Sequence, residues 1–391
     1  MPKGWRKVRF GDVCSITMGQ SPEGSSYNSE KIGEPLLNGP TEFGAIHPIP
    51  MQWTTDPKRF AEPGDMLFCV RVATTGRKNV ADQKYCIGRG LAAIRGDEGQ
   101  TITKFLFYLL DDITNALLRE TAGSTFPNLS GEKLEGFEIV LPPILEQKRI
   151  VGILSDRLTA IDKARTATEA QLKAAKSLPA AYLRQVFDSP EAQKWKRKKL
   201  GDIAETCSGS TPSRERKDYY IGTIPWVKTG ELKDSNIYDT EEHISELALR
   251  DTSVRLLPER TLLIAMYGQG QTRGRTGLLD KPATTNQACF AILPDDKVFD
   301  PKYLQFWFRH SYARLREETE GRGGNQSNLN GELLRDQIVY LPSLEKQCDV
   351  VLNLERTEKQ TQILIQSLQS QLKTINQLPA ATLRQAFNGE L

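Results

Sequence analysis

One long stretch appears twice, and that repeat constrains the fold more than any other feature. Ile144 to Phe187 ends in QLKAAKSLPAAYLRQVF, and Leu344 to Phe387 ends in QLKTINQLPAATLRQAF. Eleven positions from Gln171 to Phe187 recur unchanged 200 residues later, with no gap. Each stretch opens after a Leu-Pro pair, and proline is tolerated at a helix start. In the first, Ile144, Gln147, Val151, Leu154, Leu158, Ile161, Arg165, Thr168, Leu172 and Ala175 are spaced alternately by three and four. This is the a/d pattern of a coiled-coil seam, and the second stretch keeps the phase from Leu344 to Ile375. From Ile144 to Lys176 such a helix is roughly 50 Å long at 1.5 Å per residue. Pro179 is expected to break or kink it, leaving Ala180 to Phe187 as a short second piece.

The repeat extends to whole halves of the chain. Trp5 to Val13 is echoed by Trp195 to Ile203, and Gly19-Gln20-Ser21-Pro22 by Gly209-Ser210-Thr211-Pro212, in both cases 190 positions on. Asn128-Leu129-Ser130-Gly131-Glu132 is echoed by Asn328-Leu329-Asn330-Gly331-Glu332, now 200 positions on, so the second copy is about ten residues longer between these anchors. Inside each half the layout persists where identity fades. Asp65–Val70 and Thr261–Met266 read as buried strands, each opening into a loop rich in Gly, Thr and Arg. A second strand follows (Gly90–Ile94, Ala288–Ile292), then a helix near 105–110 and 303–308, a glycine-bearing loop, and a last strand (Phe137–Leu141, Gln337–Leu341). The expected architecture is α+β: two globular mixed α/β domains, 1–142 and 189–342, alternating with two long helical regions, 143–188 and 343–391, as a pseudo-twofold repeat.

With 391 residues, 38% of them hydrophobic and 26% charged, the chain has length for two or three real cores. No apolar run approaches the roughly 20 residues of a membrane span. The opening MPKGWRKVRF lacks the apolar core of a signal peptide, and the six cysteines show no CxxC spacing, so reduced thiols and a cytoplasmic location are expected. The net charge of +3 does not announce nucleic acid, so a DNA partner would have to meet local positive charge.

A catalytic constellation does not emerge. His47, His243 and His310 stand alone in the sequence, which gives no metal-site pattern. Gly268-Gln269-Gly270-Gln271-Thr272-Arg273-Gly274 has the spacing GxGxxxG without a βαβ context, and no GxxxxGK[ST] loop is present. The Asp-Pro-Pro-Tyr type of motif expected of an amino-methyltransferase is absent. Asp111-Asp112 reads as a solvated helix face, because adjacent helical residues point apart.

The order domain, long helix, domain, long helix resembles the specificity subunit of type I restriction–modification systems. The resemblance covers essentially the whole chain and rests on Trp5 to Pro22, Asn128 to Val151, Gln171 to Phe187 and their copies. It implies two target-recognition domains, each reading one half of a bipartite DNA site, joined by two long antiparallel coiled-coil helices that set the spacing. It implies a non-catalytic chain without a cofactor of its own. The partners it implies are double-stranded DNA, two methyltransferase subunits that bind S-adenosylmethionine and methylate adenine at N6, and motor-nuclease restriction subunits using ATP and Mg. Two other classes compete with this reading: a DNA-processing nuclease with an unrecognised active site, and a purely structural coiled-coil scaffold. The physics agrees with the first, because two half-sites about one 34 Å turn or slightly more apart suit two domains on a rigid spacer.

The loops after the first buried strand are the leading DNA-facing candidates: Arg71, Thr74, Thr75, Arg77 and Lys78 in the first half, and Gln269, Gln271, Thr272, Arg273 and Arg275 in the second. Arginine reads guanine and glutamine reads adenine by paired hydrogen bonds in the major groove. Secondary candidates are Ser124, Thr125, Arg322, Asn325 and Gln326, with Tyr219, Tyr220, Lys228 and Thr229. Arg6, Lys7 and Arg9, and Lys196 to Lys199, are suited to phosphate. Two expectations concern the helices. Phe387 should lie near Trp5, because Phe187 is tied to Trp195 by a short link. Antiparallel pairing with residue numbers summing to 526 sets Val151 against Ile375 and Ala175 against Val351. It gathers Arg165, Thr168, Glu358 and Thr361 in the middle, where an Arg165–Glu358 ion pair would pin the register.

Overall fold

A computed structural model describes residues 2–71, 74–120, 129–268, 271–320 and 328–391. The chain divides into two compact units, residues 1–169 with 370–391, and residues 170–369. Each unit therefore takes the front of one long helix and the back of the other.

The main sheet of the first unit is antiparallel, in the order Cys14–Met18, Leu91–Gly96, Met66–Cys69, Lys78–Val80. The second unit repeats it as Thr206–Ser208, Cys289–Ile292, Leu262–Ala265, Thr276–Leu279. Met66–Cys69 and Leu262–Ala265 are continuous apolar runs because both sheet faces are covered, and every residue in them is buried. One face packs on the helix Thr103–Glu120 or Pro301–Glu320, and the other on a second sheet, of five strands in the first unit and three in the second. The basic strands Arg6–Arg9 and Lys196–Lys199 form two-stranded ribbons with Glu138–Leu141 and Ile338–Leu341. The sheet of the second unit has a fifth strand, Ser235–Ile237, parallel to Thr276–Leu279.

The long helices run Ile144–Phe187 and Leu344–Phe387, 44 residues each, with Pro179 and Pro379 inside. Of the break or kink expected at Pro179, the break does not occur: the helix runs on to Phe187. An interior proline costs about 3 kcal/mol, but the turns beyond it bury Leu183 and Phe187 in the second unit and Leu383 and Ala386 in the first. A buried Leu or Phe side chain contributes roughly 1.5–3 kcal/mol, which offsets the defect. Phe187 meets Tyr303 edge-on at 5.6 Å between ring centroids, and Phe387 meets Phe105 in the same way at 5.6 Å. Each long helix thus ends on the domain that comes next in a circular reading of the repeat. Phe387 and Trp5 pack in one apolar cluster, near each other as expected, and Arg149 donates to the Leu391 carbonyl at 2.7 Å.

Burial along the helices follows a narrow seam at Leu154, Thr168 and Ala175, and at Val351, Leu354, Thr361, Leu368 and Ile375. Two assignments to that seam need correction. Gln147 and Gln347 are fully buried, but their amides turn into their own domains. Gln147 accepts from Ile102 N at 3.0 Å and donates to the Gln100 and Pro142 carbonyls at 2.9 Å each. Gln347 accepts from Asp300 N at 2.9 Å and donates to the Pro342 carbonyl at 3.0 Å. They lock the first turn of each long helix to the loop that opens the domain helix. The charges expected to pin the register have partners at home: Arg165 pairs with Asp162 one turn earlier, and Glu358 pairs with Arg309 on Pro301–Glu320.

Candidate nucleic-acid interface

Each main sheet presents one hairpin, between Met66–Cys69 and Lys78–Val80 in the first unit and between Leu262–Ala265 and Thr276–Leu279 in the second. The two are built by the same backbone bonds. Cys69 N donates to the Arg77 carbonyl and Ala265 N to that of Arg275, both at 2.9 Å. Gly76 N returns to the Cys69 carbonyl at 3.0 Å, and Gly274 N to that of Ala265 at 2.8 Å. Arg77 N and Arg275 N close onto the Thr74 and Thr272 carbonyls at 3.1 and 3.0 Å. Both glycines have positive φ, +95° and +86°, and a Cβ at either would press on the domain helix, at Thr114 in one and Tyr312 in the other. Glycine is required twice over, for the left-handed turn and for the close approach. Across the described residues the two units therefore carry the same backbone-bonded turn despite their divergent sequences.

The platforms differ in what they display. In the first, Arg71 and Arg77 are exposed, and among the described residues neither guanidinium has a hydrogen bond or ion pair. Thr74 donates its hydroxyl to the Arg71 carbonyl at 3.0 Å, and Thr75 is half-buried beside it. Lys78 is turned inward. Its side chain is 5% exposed, pairs with Asp111 at 2.6 Å, donates to the Phe107 carbonyl and lies over the Phe107 ring. Burial pushes its pKa down, and Asp111 opposes that shift. Lys78 opens a strand with its side chain towards the domain helix, which places it away from the loop tip. The reading of Asp111 as merely solvated is corrected by the same pair.

In the second platform Arg273 is 7% exposed and its carbonyl receives Arg316. Arg275 is held by Asp234, with Nη1 2.5 Å from Oδ2, and lies over the Tyr312 ring. Gln271 is exposed at the tip, and Thr272 is half-buried under it. Gln269 lies outside the described residues, as do Ser124, Thr125, Arg322, Asn325 and Gln326.

The Tyr219–Thr229 candidates form a mostly self-satisfied cluster. Tyr219 is buried, Tyr220 donates to the Pro212 carbonyl at 2.6 Å, and Lys228 is clamped by Glu242 at 2.9 Å and Glu241 at 3.1 Å. Thr229 starts a short 3-10 turn beside Lys228 and is half-buried. On the ribbons, Lys196 to Lys199 are all exposed, and Lys199 is engaged by Asp336 at 2.8 Å. The sequence does not single out Asp234. Its signal is weak, one acidic residue 41 positions before Arg275, with φ at +59°. Among the described residues no group of three or more His, Cys, Asp or Glu side chains could hold a metal.

A domain that occurs twice is also what comparison finds. The family described as type I restriction modification DNA specificity domain matches residues 2–174 and again 192–374. The chain belongs to this family. A type I specificity-domain chain of Methanocaldococcus jannaschii, named for MjaX, is 40% identical over 164 residues, 41% of this chain and 37% of that relative. The MjaIX specificity subunit of the same organism is 32% identical over 181 residues, 44% of this chain and 41% of the relative. The matched segments thus span about two fifths of those relatives. The EcoBI specificity subunit of Escherichia coli aligns over 99% of this chain and 86% of its own length at 23% identity. In fold, the chain resembles the HsdS subunit of Thermoanaerobacter tengcongensis, with a TM-score of 0.71, 20% identity, and coverage of 100% of this chain and 98% of that one. It also resembles a chain from a study of assembly and conformational transition of the type I R-M system, with a TM-score of 0.77, 20% identity, and coverage of 100% and 99%.

Proposed function

We propose that this chain is the sequence-reading subunit of a type I restriction–modification complex, with each unit reading one half of a bipartite duplex site. The observation that supports it most is the pair of matching hairpin platforms, one per family domain, displaying Arg71 and Arg77 in one case and Gln271 in the other. A guanidinium with no protein partner retains its full capacity for guanine O6 and N7 or for phosphate. The exposed ribbon lysines add phosphate contacts that position without reading. The domains are 1–142 and 189–342, and the helical regions 143–188 and 343–391 fix the distance between half-sites. The partners are two methyltransferase subunits, with motor-nuclease subunits joining for restriction. S-adenosylmethionine, ATP and Mg belong to those partners, and the complex works in the cytoplasm. The test is selection from a randomised duplex library by the chain assembled with its methyltransferase subunits. Two fixed half-sites with a constant spacer are expected, and an unselective pool refutes the reading.

A further inference from the structure

The two platforms share a backbone but treat their homologous arginines in opposite ways. Among the described residues Arg77 has no hydrogen-bond or ion-pair partner, whereas Arg275, at the same hydrogen-bonded position, is part of a relay. Asp234 starts it. Its Oδ1 accepts from Thr276 N at 2.9 Å and from the Thr276 hydroxyl at 3.0 Å, and its Oδ2 takes Arg275 Nη1 at 2.5 Å. The other end of the guanidinium holds Gln271: Nη2 donates to Oε1 at 3.1 Å, and Nε to the Gln271 carbonyl at 3.4 Å. Tyr312 donates to the same carbonyl at 2.7 Å. Arginine has donors only, so the atom of the Gln271 side chain facing it must be the oxygen, and the amide orientation is fixed by chemistry. The exposed end of Gln271 is then its NH2, and among the described residues that group carries no hydrogen bond.

We infer that Gln271 is a donor-only reader that selects guanine over adenine in the half-site of the second unit, with Asp234 and Arg275 as the residues that position it. The inference rests on the DNA-recognition reading above. Paired recognition of adenine needs the amide oxygen to accept from N6 while the NH2 donates to N7. Here the oxygen is held towards Arg275, so adenine N6–H would meet the amide NH2, donor against donor. Guanine offers O6 and N7, both acceptors, to the same NH2. The fifth strand of the second unit makes this possible, because it brings Asp234 beside Thr276.

The test is the same library selection by the assembled complex, with variants scored base pair by base pair. The wild type should prefer guanine over adenine about tenfold at one position of the second half-site, as one contact of roughly 1.4 kcal/mol gives. Gln271→Ala should abolish preference at that position alone. Gln271→Glu, with an acceptor outward, should invert it towards adenine or cytosine. Arg275→Lys keeps a charge for Asp234 but cannot also hold Gln271; it should let the amide flip and admit adenine. Asp234→Asn should blur the same position. The remaining positions and the half-site of the first unit should not change, which separates a positioning role from general loss of structure. An unchanged profile in both Gln271 variants, or adenine preferred by the wild type, overturns the inference while sequence-specific binding stands. A wild type without any preference overturns both.

Discussion

Gln147 offers the sharpest test of how a long helix is tied to its domain. Its side chain is fully buried and makes three hydrogen bonds, to Ile102 N, the Gln100 carbonyl and the Pro142 carbonyl. Gln147→Ala removes all three and leaves a backbone N–H and two carbonyls without their partner. At about 1 kcal/mol per bond the loss is about 3 kcal/mol, which is about 6–12 °C in the transition of a unit this size. Gln147→Glu keeps the acceptor for Ile102 but points a carboxylate oxygen at two carbonyls. The folded-state pKa of that glutamate should rise above its unfolded value near 4.3. A raised folded pKa means the protonated form is favoured by folding: stability is present below pH 4 and is lost as pH rises through the raised value. Gln147→Glu should therefore fall below Gln147→Ala near pH 8 and recover towards pH 4.5. Hydrogen exchange of peptides near residues 139–160 reads the local effect, and calorimetry reads the transition. A Gln147→Ala loss under about 0.5 kcal/mol would refute the clamp and return Gln147 to the helix seam, since surface changes stay within that range.

Three further outcomes follow. Arg77→Ala should relax the first half-site at one base pair by roughly 1–3 kcal/mol and leave melting unchanged, while Lys78→Ala should lower stability by about 1–2 kcal/mol through the loss of its bonds to the Phe107 carbonyl and to Asp111 and leave half-site preference intact; library selection and scanning calorimetry on both variants decide. In an otherwise cysteine-free chain, Ala175→Cys with Val351→Cys should form a disulfide readily and Ala175→Cys with Leu344→Cys, one heptad away, should not; the reverse discards the register sum of 526. Towards a maleimide at pH 7.5, exposed Cys348 should react fast, whereas burial pushes Cys14 and Cys69 up to about 12 and Cys289 higher still, so mass spectrometry should find these three unmodified in the native state.

The periodic and local features were legible in the sequence. A 44-residue helix with a 200-residue echo declares itself, and so do apolar runs such as Met66–Cys69 bounded by a glycine loop. What was not legible depends on where a side chain points and what lies opposite. Lys78 looks like a loop cation until strand pairing turns it onto Asp111. Arg275 looks free until an added strand brings in Asp234 from far away in sequence. Gln147 sits at a seam spacing, but its amide finds better partners in backbone groups of its own domain. Proline 179 obeys its local cost, yet burial of Leu183 and Phe187 beyond it overrides that cost. In each case tertiary partners decide between two roles that the local sequence permits equally.

The central claim is that this one chain dictates a two-part DNA address. Methylome sequencing of the host with and without the gene tests it most directly. The account predicts N6-methyladenine in a bipartite motif, two fixed half-sites around a constant spacer, present with the gene and absent after deletion. A methylome unchanged by deletion, or the loss of only a single contiguous motif, would contradict it.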